Sequence, residues 1–408
     1  MVKEDLKKQT EMRLLPEDWE LLNLEANFTL KARIGWQGLT TAEYLNDGDY
    51  GLVTGTDFKN GYIDWDNCVF VEKMRFDQDR NIQLKKNDVL VTKDGTIGKI
   101  AFIDFLPKPT TLNSGVFVVR PKSNNINNRF FYYILMSFYF DDFLLKITAG
   151  STIIHLYQKD FVNFNFVCPP LPEQEAIAEV LSDCDAWVES LEKIISKKRL
   201  IKQGAMQELL TPKENWEVKK LGEVAQFLKG KGLPKSELDS SFEYDCIHYG
   251  ELFTRYKELI GDVFSRTNSN INAIMSKHND VLMPTSDVTP RGLATASCIK
   301  KDGVILGGDI LIIRFFMEID GLYFSYFISN NKEEVLKFVS GSTVYHLYGS
   351  ELSNLNFEFP LPTEQTRIAT ILSDMDAEID ALEKKLNKAR QIKQGMMQEL
   401  LTGRVRLL

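Results

Sequence analysis

The chain has 408 residues, 44% hydrophobic and 26% charged, with a formal net charge of −8, the make-up of a globular protein of two or three domains. No run approaches the ~18 apolar residues of a membrane span, and residues 1–8 lack the apolar core of a secretory signal. Five scattered cysteines (Cys68, Cys168, Cys184, Cys246, Cys298) form no CxxC pair, which argues against a metal site or disulfide framework and for a reduced, cytoplasmic setting; the acidic balance counts against nucleic-acid binding unless basic residues gather on one face.

Residues 1–15 form an N-terminal helical segment, because Lys8-Gln9, Met12 and Leu14-Leu15 echo Lys202-Gln203, Met206 and Leu209-Leu210. Residues 16–168 read as a mixed α/β block. Its β-branched and aromatic runs at 88–92 and 116–120 predict strands, 129–137 predicts an amphipathic helix, and Asp47-Gly48-Asp49 and Asp94-Gly95-Thr96 mark turns. Residues 169–212 predict a long helix opening at Leu171-Pro172-Glu173-Gln174, with proline tolerated in the first turn. Residues 213–358 repeat the mixed pattern, with strands at 281–283 and 310–315 and a helix at 321–330, and 359–408 predict a second long helix.

The two helical segments are copies. From Glu173 and Glu364 onward they align at an offset of 191 residues, with 24 of 39 positions identical. Upstream, Gly150-Ser151-Thr152-Ile153-Ile154-His155-Leu156-Tyr157 matches Gly341-Ser342-Thr343-Val344-Tyr345-His346-Leu347-Tyr348, and Asn87-Asp88-Val89-Leu90 matches Asn279-Asp280-Val281-Leu282. Ile368, Leu372, Met375, Ile379, Leu382, Leu386 and Ala389 recur at alternating four- and three-residue steps. Ile177, Leu181, Cys184, Val188, Leu191 and Ile195 do the same in the first copy. Such a seam needs a partner. With both copies in one chain, the expectation is an α+β protein in which two similar mixed α/β domains are separated by two long antiparallel helices. The helices form an intramolecular coiled coil with pseudo-two-fold symmetry, and the N-terminus lies near the end of the last helix.

Leu171-Pro172-Glu173-Gln174 followed by Ile177-Ala178 and Leu181-Ser182, with its copy at 361–373, resembles the conserved-region signature of Type I restriction–modification specificity subunits (the HsdS family). The Gly-Ser-Thr element and the Gly95-Thr96-Ile97-Gly98-Lys99 hairpin are similar to that family's target-recognition domains; in the second block Asp287-Val288-Thr289-Pro290-Arg291-Gly292 departs from the pattern. The resemblance implies a non-catalytic subunit that binds double-stranded DNA, each recognition domain reading one half of a bipartite site. It implies that the helix pair sets the spacing and docks two modification (methyltransferase) subunits. Those would carry S-adenosylmethionine, this chain holding no cofactor and no metal, and restriction subunits (ATP-dependent translocase and endonuclease) would join them.

The DNA-contact candidates are Lys93, Thr96, Lys99, Ser151 and Thr152 in the first block and Thr285, Ser286, Arg291, Ser342 and Thr343 in the second, with Lys31, Arg33, Lys229 and Lys231 in early loops. Lysines reach phosphates, hydroxyls position the strand and an arginine can pair with guanine; solvated turns and helix caps are the competing reading. His155 and His346 match across the repeat and are expected to hold each domain to its helix. No P-loop, nucleotide fingerprint or methyltransferase Asn/Asp-Pro-Pro-aromatic loop is present. Two other classes stay open: a methyltransferase or nuclease dimerised by its helices, and a coiled-coil scaffold without a DNA role.

Overall fold

The computed structural model describes residues 15–149, 155–268 and 273–407. It forms two compact units, Met1–Ser190 with Leu386–Leu408 and Leu191–Lys385. The division does not follow the expected boundaries near 168, 212 and 358. It runs through both long helices, so each unit owns a part of each.

In the first unit an antiparallel sheet has the order Phe28–Lys31, Val116–Pro121, Val89–Thr92, Ile100–Phe102. Val89–Thr92 is buried throughout, so one face needs a cover. Helix α1 (Asn128–Leu135) supplies it, started by the Asn127 side chain accepting from the Arg129 and Phe130 amides and burying Phe130 to Leu135. The second unit repeats the plan with five strands, ordered Ala225–Lys229, Ile310–Phe315, Val281–Pro284, Ser297–Ile299, Leu259–Ile260. Each sheet is locked at one end by a matching pair: Arg120 on Asp88 and Arg314 on Asp280, both at 2.6 Å.

Glu20–Asn23 pairs with Asn165–Cys168, and Glu217–Lys220 with Asn356–Phe359; each pair delivers the chain to a long helix, α2 (Leu171–Leu209) in the first case. In the second unit the covering helix is α3 (Gly321–Asn330) and the second long helix is α4 (Pro362–Leu400). The glutamine of each start, Leu-Pro-Glu-Gln in α2 and Leu-Pro-Thr-Glu-Gln in α4, is the anchor. Gln174 Oε1 accepts from the Asn127 amide at 2.8 Å while its Nε2 donates to the Pro169 carbonyl at 2.8 Å. Gln365 repeats this with the Asp320 amide and the Pro360 carbonyl, both at 2.9 Å. Both amides are buried, and both are satisfied.

The helices run antiparallel within each unit. In the first, Ile177, Ala178 and Leu181 of α2 share a core with Met396, Met397, Leu400 and Leu401 at the α4 end. In the second, Ile368, Ala369 and Leu372 of α4 meet Ala205, Met206, Leu209 and Leu210 of the α2 end. None of the thirteen predicted seam residues is exposed. The outer ends of the seam are buried against the sheets' covering helices as well as against the other long helix, because those turns belong to the domain cores.

A three-residue latch appears in both units. Tyr133 donates to Asp185 at 2.8 Å, and Lys393 pairs with the same carboxylate, its ammonium 5.8 Å above the Tyr133 ring. Tyr326 donates to Asp376 at 2.6 Å, and Lys202 reaches it at 2.6 Å from 5.2 Å above the Tyr326 ring. Burial first, and then the neighbouring carboxylate, hold both phenols well above their ordinary pKa. Finally, Arg406 meets Asp18 and Glu173. Arg406 makes paired bonds to Asp18 (2.9 and 2.7 Å) and to Glu173 (2.7 and 2.8 Å), and Trp19 Nε1 donates to Glu173 at 3.0 Å. The expected N-terminal helical segment lies outside the described residues, which begin at Leu15.

Candidate nucleic-acid interface

In the first unit the strands Val89–Thr92 and Ile100–Phe102 are joined by a hairpin whose tip carries three candidates. The buried Thr92 hydroxyl ties it, donating to the Thr96 carbonyl at 2.6 Å and accepting from the Lys99 amide at 2.9 Å. Gly98 sits at φ +76°, where a side chain would strain the backbone and a Cβ would push Leu144 Cδ1 aside from 2.3 Å. Thr96 and Lys99 are exposed; Lys93 is half-buried with its ammonium 5.5 Å above the Phe117 ring.

A segment some sixty residues further along joins this tip. The Leu156 amide donates to the Lys93 carbonyl at 3.0 Å, and His155 Nδ1 lies 2.7 Å from Asp94 Oδ1. Ser151 and Thr152, just before it, lie outside the described residues. The second unit makes the same junction: the Leu347 amide donates to the Thr285 carbonyl at 3.0 Å. Ser286 and Asp287 pair antiparallel with His346 and Tyr345. Ser342 and Thr343 are exposed at the tip between strands Val339–Gly341 and Tyr345–Leu347. Lys93, Thr96 and Lys99 in the first unit, and Thr285, Ser286, Ser342 and Thr343 in the second, thus lie beside the same junction, although the connection in the second unit is a longer one with a 3-10 turn at Pro290–Leu293. A Cβ at Gly292 would sit 1.9 Å from Asp287 Oδ2, so a side chain there would displace that carboxylate.

The remaining candidates divide. Arg291 is exposed and paired with the equally exposed Glu333 at 2.9 Å, a bond that a phosphate or base edge can replace. Lys229 lies 3.3 Å from Asp309, the residue whose carbonyl accepts from the Thr285 amide. Lys31 ends the strand Phe28–Lys31, and Lys31 and Lys231 are both exposed. Thr285 is buried and Ser286 half-buried, so they shape the junction more than they face solvent.

Arg33 corrects the expectation of a surface cation. It is buried, with Nε donating to the Leu112 carbonyl (2.8 Å), Nη1 to Gln78 (3.0 Å) and Nη2 to the Arg75 carbonyl and Thr111 hydroxyl (both 3.2 Å). Burial lowers its pKa, and a guanidinium with those donors committed inward has little left for DNA. The histidines are corrected too. Neither ties its domain to a helix: His155 is 40% exposed beside Asp94, and His346 sits in the strand pair with its ring 5.9 Å from that of Tyr348. Asp94, Tyr157 and Tyr348 are at this sheet end as well and were not singled out. The duplicated His-Leu-Tyr, apolar only at its centre, was the signal for the tyrosines.

The family described as "Type I restriction modification DNA specificity domain" matches residues 16–198 and 213–391, most of the chain and in two copies. The chain belongs to that family. It is a DNA-recognition subunit of a Type I restriction–modification system and not a catalytic one. Among curated relatives, the putative Type I restriction enzyme MjaX specificity subunit of Methanocaldococcus jannaschii is 24% identical over 430 residues, covering 99% of this chain and 98% of that one. The EcoKI specificity subunit of Escherichia coli K12 is 27% identical over 179 residues, 43% of this chain and 38% of the relative. The crystal structure of a Type I restriction–modification S subunit from M. genitalium has a TM-score of 0.62 at 17% identity, covering 95% and 96% of the two chains, and so shares the fold. No described helix is long and apolar enough to cross a membrane.

Proposed function

We propose that each unit of this specificity subunit reads one half of a bipartite double-stranded DNA site through the loops gathered at its sheet end. The long helices set the number of unread base pairs between the halves. Two modification subunits dock on the helices and adjoining surfaces, bring S-adenosylmethionine and methylate the site. Restriction subunits with ATP-dependent translocase and endonuclease activity join that assembly in the cytoplasm. The supporting observation is the repeated junction, Leu156 on Lys93 and Leu347 on Thr285. It gathers the same two segments in each unit, yet the loops it presents differ in sequence. Two readers in one chain also gain affinity from effective concentration without further contacts, and half-sites recur on DNA at about 34–36 Å per turn.

The test is an exchange of residues 213–358 for the matching block of a relative, expressed with its modification subunit and read by methylome sequencing. One half-site changes and the other stays. A change in both halves would refute the division of labour.

A further inference from the structure

Two exposed tyrosines occupy the same place in the two units. His155-Leu156-Tyr157 and His346-Leu347-Tyr348 are the same tripeptide. The central leucine of each is buried in its domain core and hydrogen-bonded by its amide to the candidate loop. Alternation then turns the flanking side chains outward: Tyr157 is 54% exposed and Tyr348 53%. Neither phenol oxygen has a hydrogen-bond partner among the described residues. The Lys159 ammonium lies 5.5 Å above the Tyr157 ring. In the second unit the residue after Tyr348 presses on the strand that carries Lys229; a Cβ on Gly349 would meet Phe227 Cβ at 2.8 Å.

The loop beside each tyrosine has not been kept alike. Gly95-Thr96-Ile97-Gly98-Lys99 follows the Lys93–Asp94 pair that binds the first segment, and Val288-Thr289-Pro290-Arg291-Gly292 follows the Ser286–Asp287 pair that binds the second, and Asp94 holds His155 while no carboxylate among the described residues holds His346. Two readers of different half-sites share only what the half-sites share, which is the sugar–phosphate backbone; base edges differ, and contacts to them must differ too. We infer that Tyr157 and Tyr348 are backbone-positioning residues, each phenol donating to a phosphate oxygen and laying its ring on the adjoining deoxyribose, while the divergent loops beside them choose the bases. This rests on the DNA-reading function proposed above.

The test uses the full chain assembled with its modification subunits. It is titrated onto a duplex carrying the methylated site and onto an equal-length duplex with both half-sites scrambled. Tyr157→Ala and Tyr348→Ala each weaken binding to both duplexes by the same factor, on the order of ten-fold, so the ratio between duplexes and the methylated sequence stay as in wild type. Tyr157→Phe and Tyr348→Phe, which keep the ring and so carry no risk to folding, show a smaller, equally uniform loss. Variants that bind both duplexes as wild type does, or that lose only the preference for the true site, overturn the inference. A wild-type assembly that prefers neither duplex overturns the underlying DNA-reading function instead, whatever the variants do.

Discussion

Glu173 keeps a carboxylate with 1% of its surface in solvent, and it is tolerable there because Arg406 supplies a fork of donors and Trp19 an indole N–H. Arg406→Ala leaves that charge with the indole alone and should lower the urea-unfolding midpoint; Arg406→Lys recovers only part, lacking the planar fork. The matching indole behaves differently. Trp216 Nε1 is buried without a partner among the described residues, so Trp216→Phe should stay within about 1 kcal/mol of wild type while Trp19→Phe costs more. Asp18, whose carboxyl is held below its ordinary value of 3.8 chiefly by its hydrogen bonds from Arg406, gives this junction a pH limit. Its contribution is complete above the unfolded value and is lost as pH falls through the lower folded one. Amide exchange at residues 16–19 should therefore rise only below about pH 4. Little of this was legible in the sequence: Arg33 and Arg406 are both arginines near candidate loops or termini, and only the folded backbone decides which faces inward to carbonyls and which bridges two acids.

At the scale of elements, the long helices were the most legible part, since a seam and 24 identities at one offset need no tertiary knowledge. The strands at 88–92, 116–120, 281–283 and 310–315 and the helix at 321–330 were legible from β-branched runs and aromatic spacing, and the structure has them within a residue or two. Strand order and the meeting of the hairpin with His155 and Leu156 were not, because such pairings depend on contacts that no local pattern encodes. The Tyr–Asp–Lys latch was hidden for the same reason, though Asp185, Lys202, Asp376 and Lys393 are all among the identities. Asp376→Ala strands Lys202 in a half-buried place beside Tyr326 and should cost about 3 kcal/mol. In a double-mutant cycle with Lys202→Met the two losses should fall short of their sum by about 1 kcal/mol or more, measured by denaturant midpoints. A cycle that closes additively would mean the pair is only adjacent.

For the whole molecule, a net charge of −8 and a DNA-reading role are compatible because cations stand at the sheet ends that carry the candidate loops: Lys31, Lys93 and Lys99 in one unit, Lys229, Lys231 and Arg291 in the other. Lys99→Ala should weaken binding to every duplex alike and reduce the slope of log affinity against log salt by about 1. An unchanged slope would remove Lys99 from the phosphate contacts. Inserting four residues at 210–212, just past the end of α2, should alter the gap between half-sites and leave their bases unchanged in the methylome.

The latches also record a history. Asp185 of the first copy takes Lys393 of the second, and Asp376 of the second takes Lys202 of the first, so every bond is returned in kind. Reciprocity of that sort is the mark of an isologous contact, the pattern that a half-length chain pairing with a second copy of itself would leave after duplication. Duplication and fusion would leave each half free to drift, and the two units now carry unlike loops on the same junction.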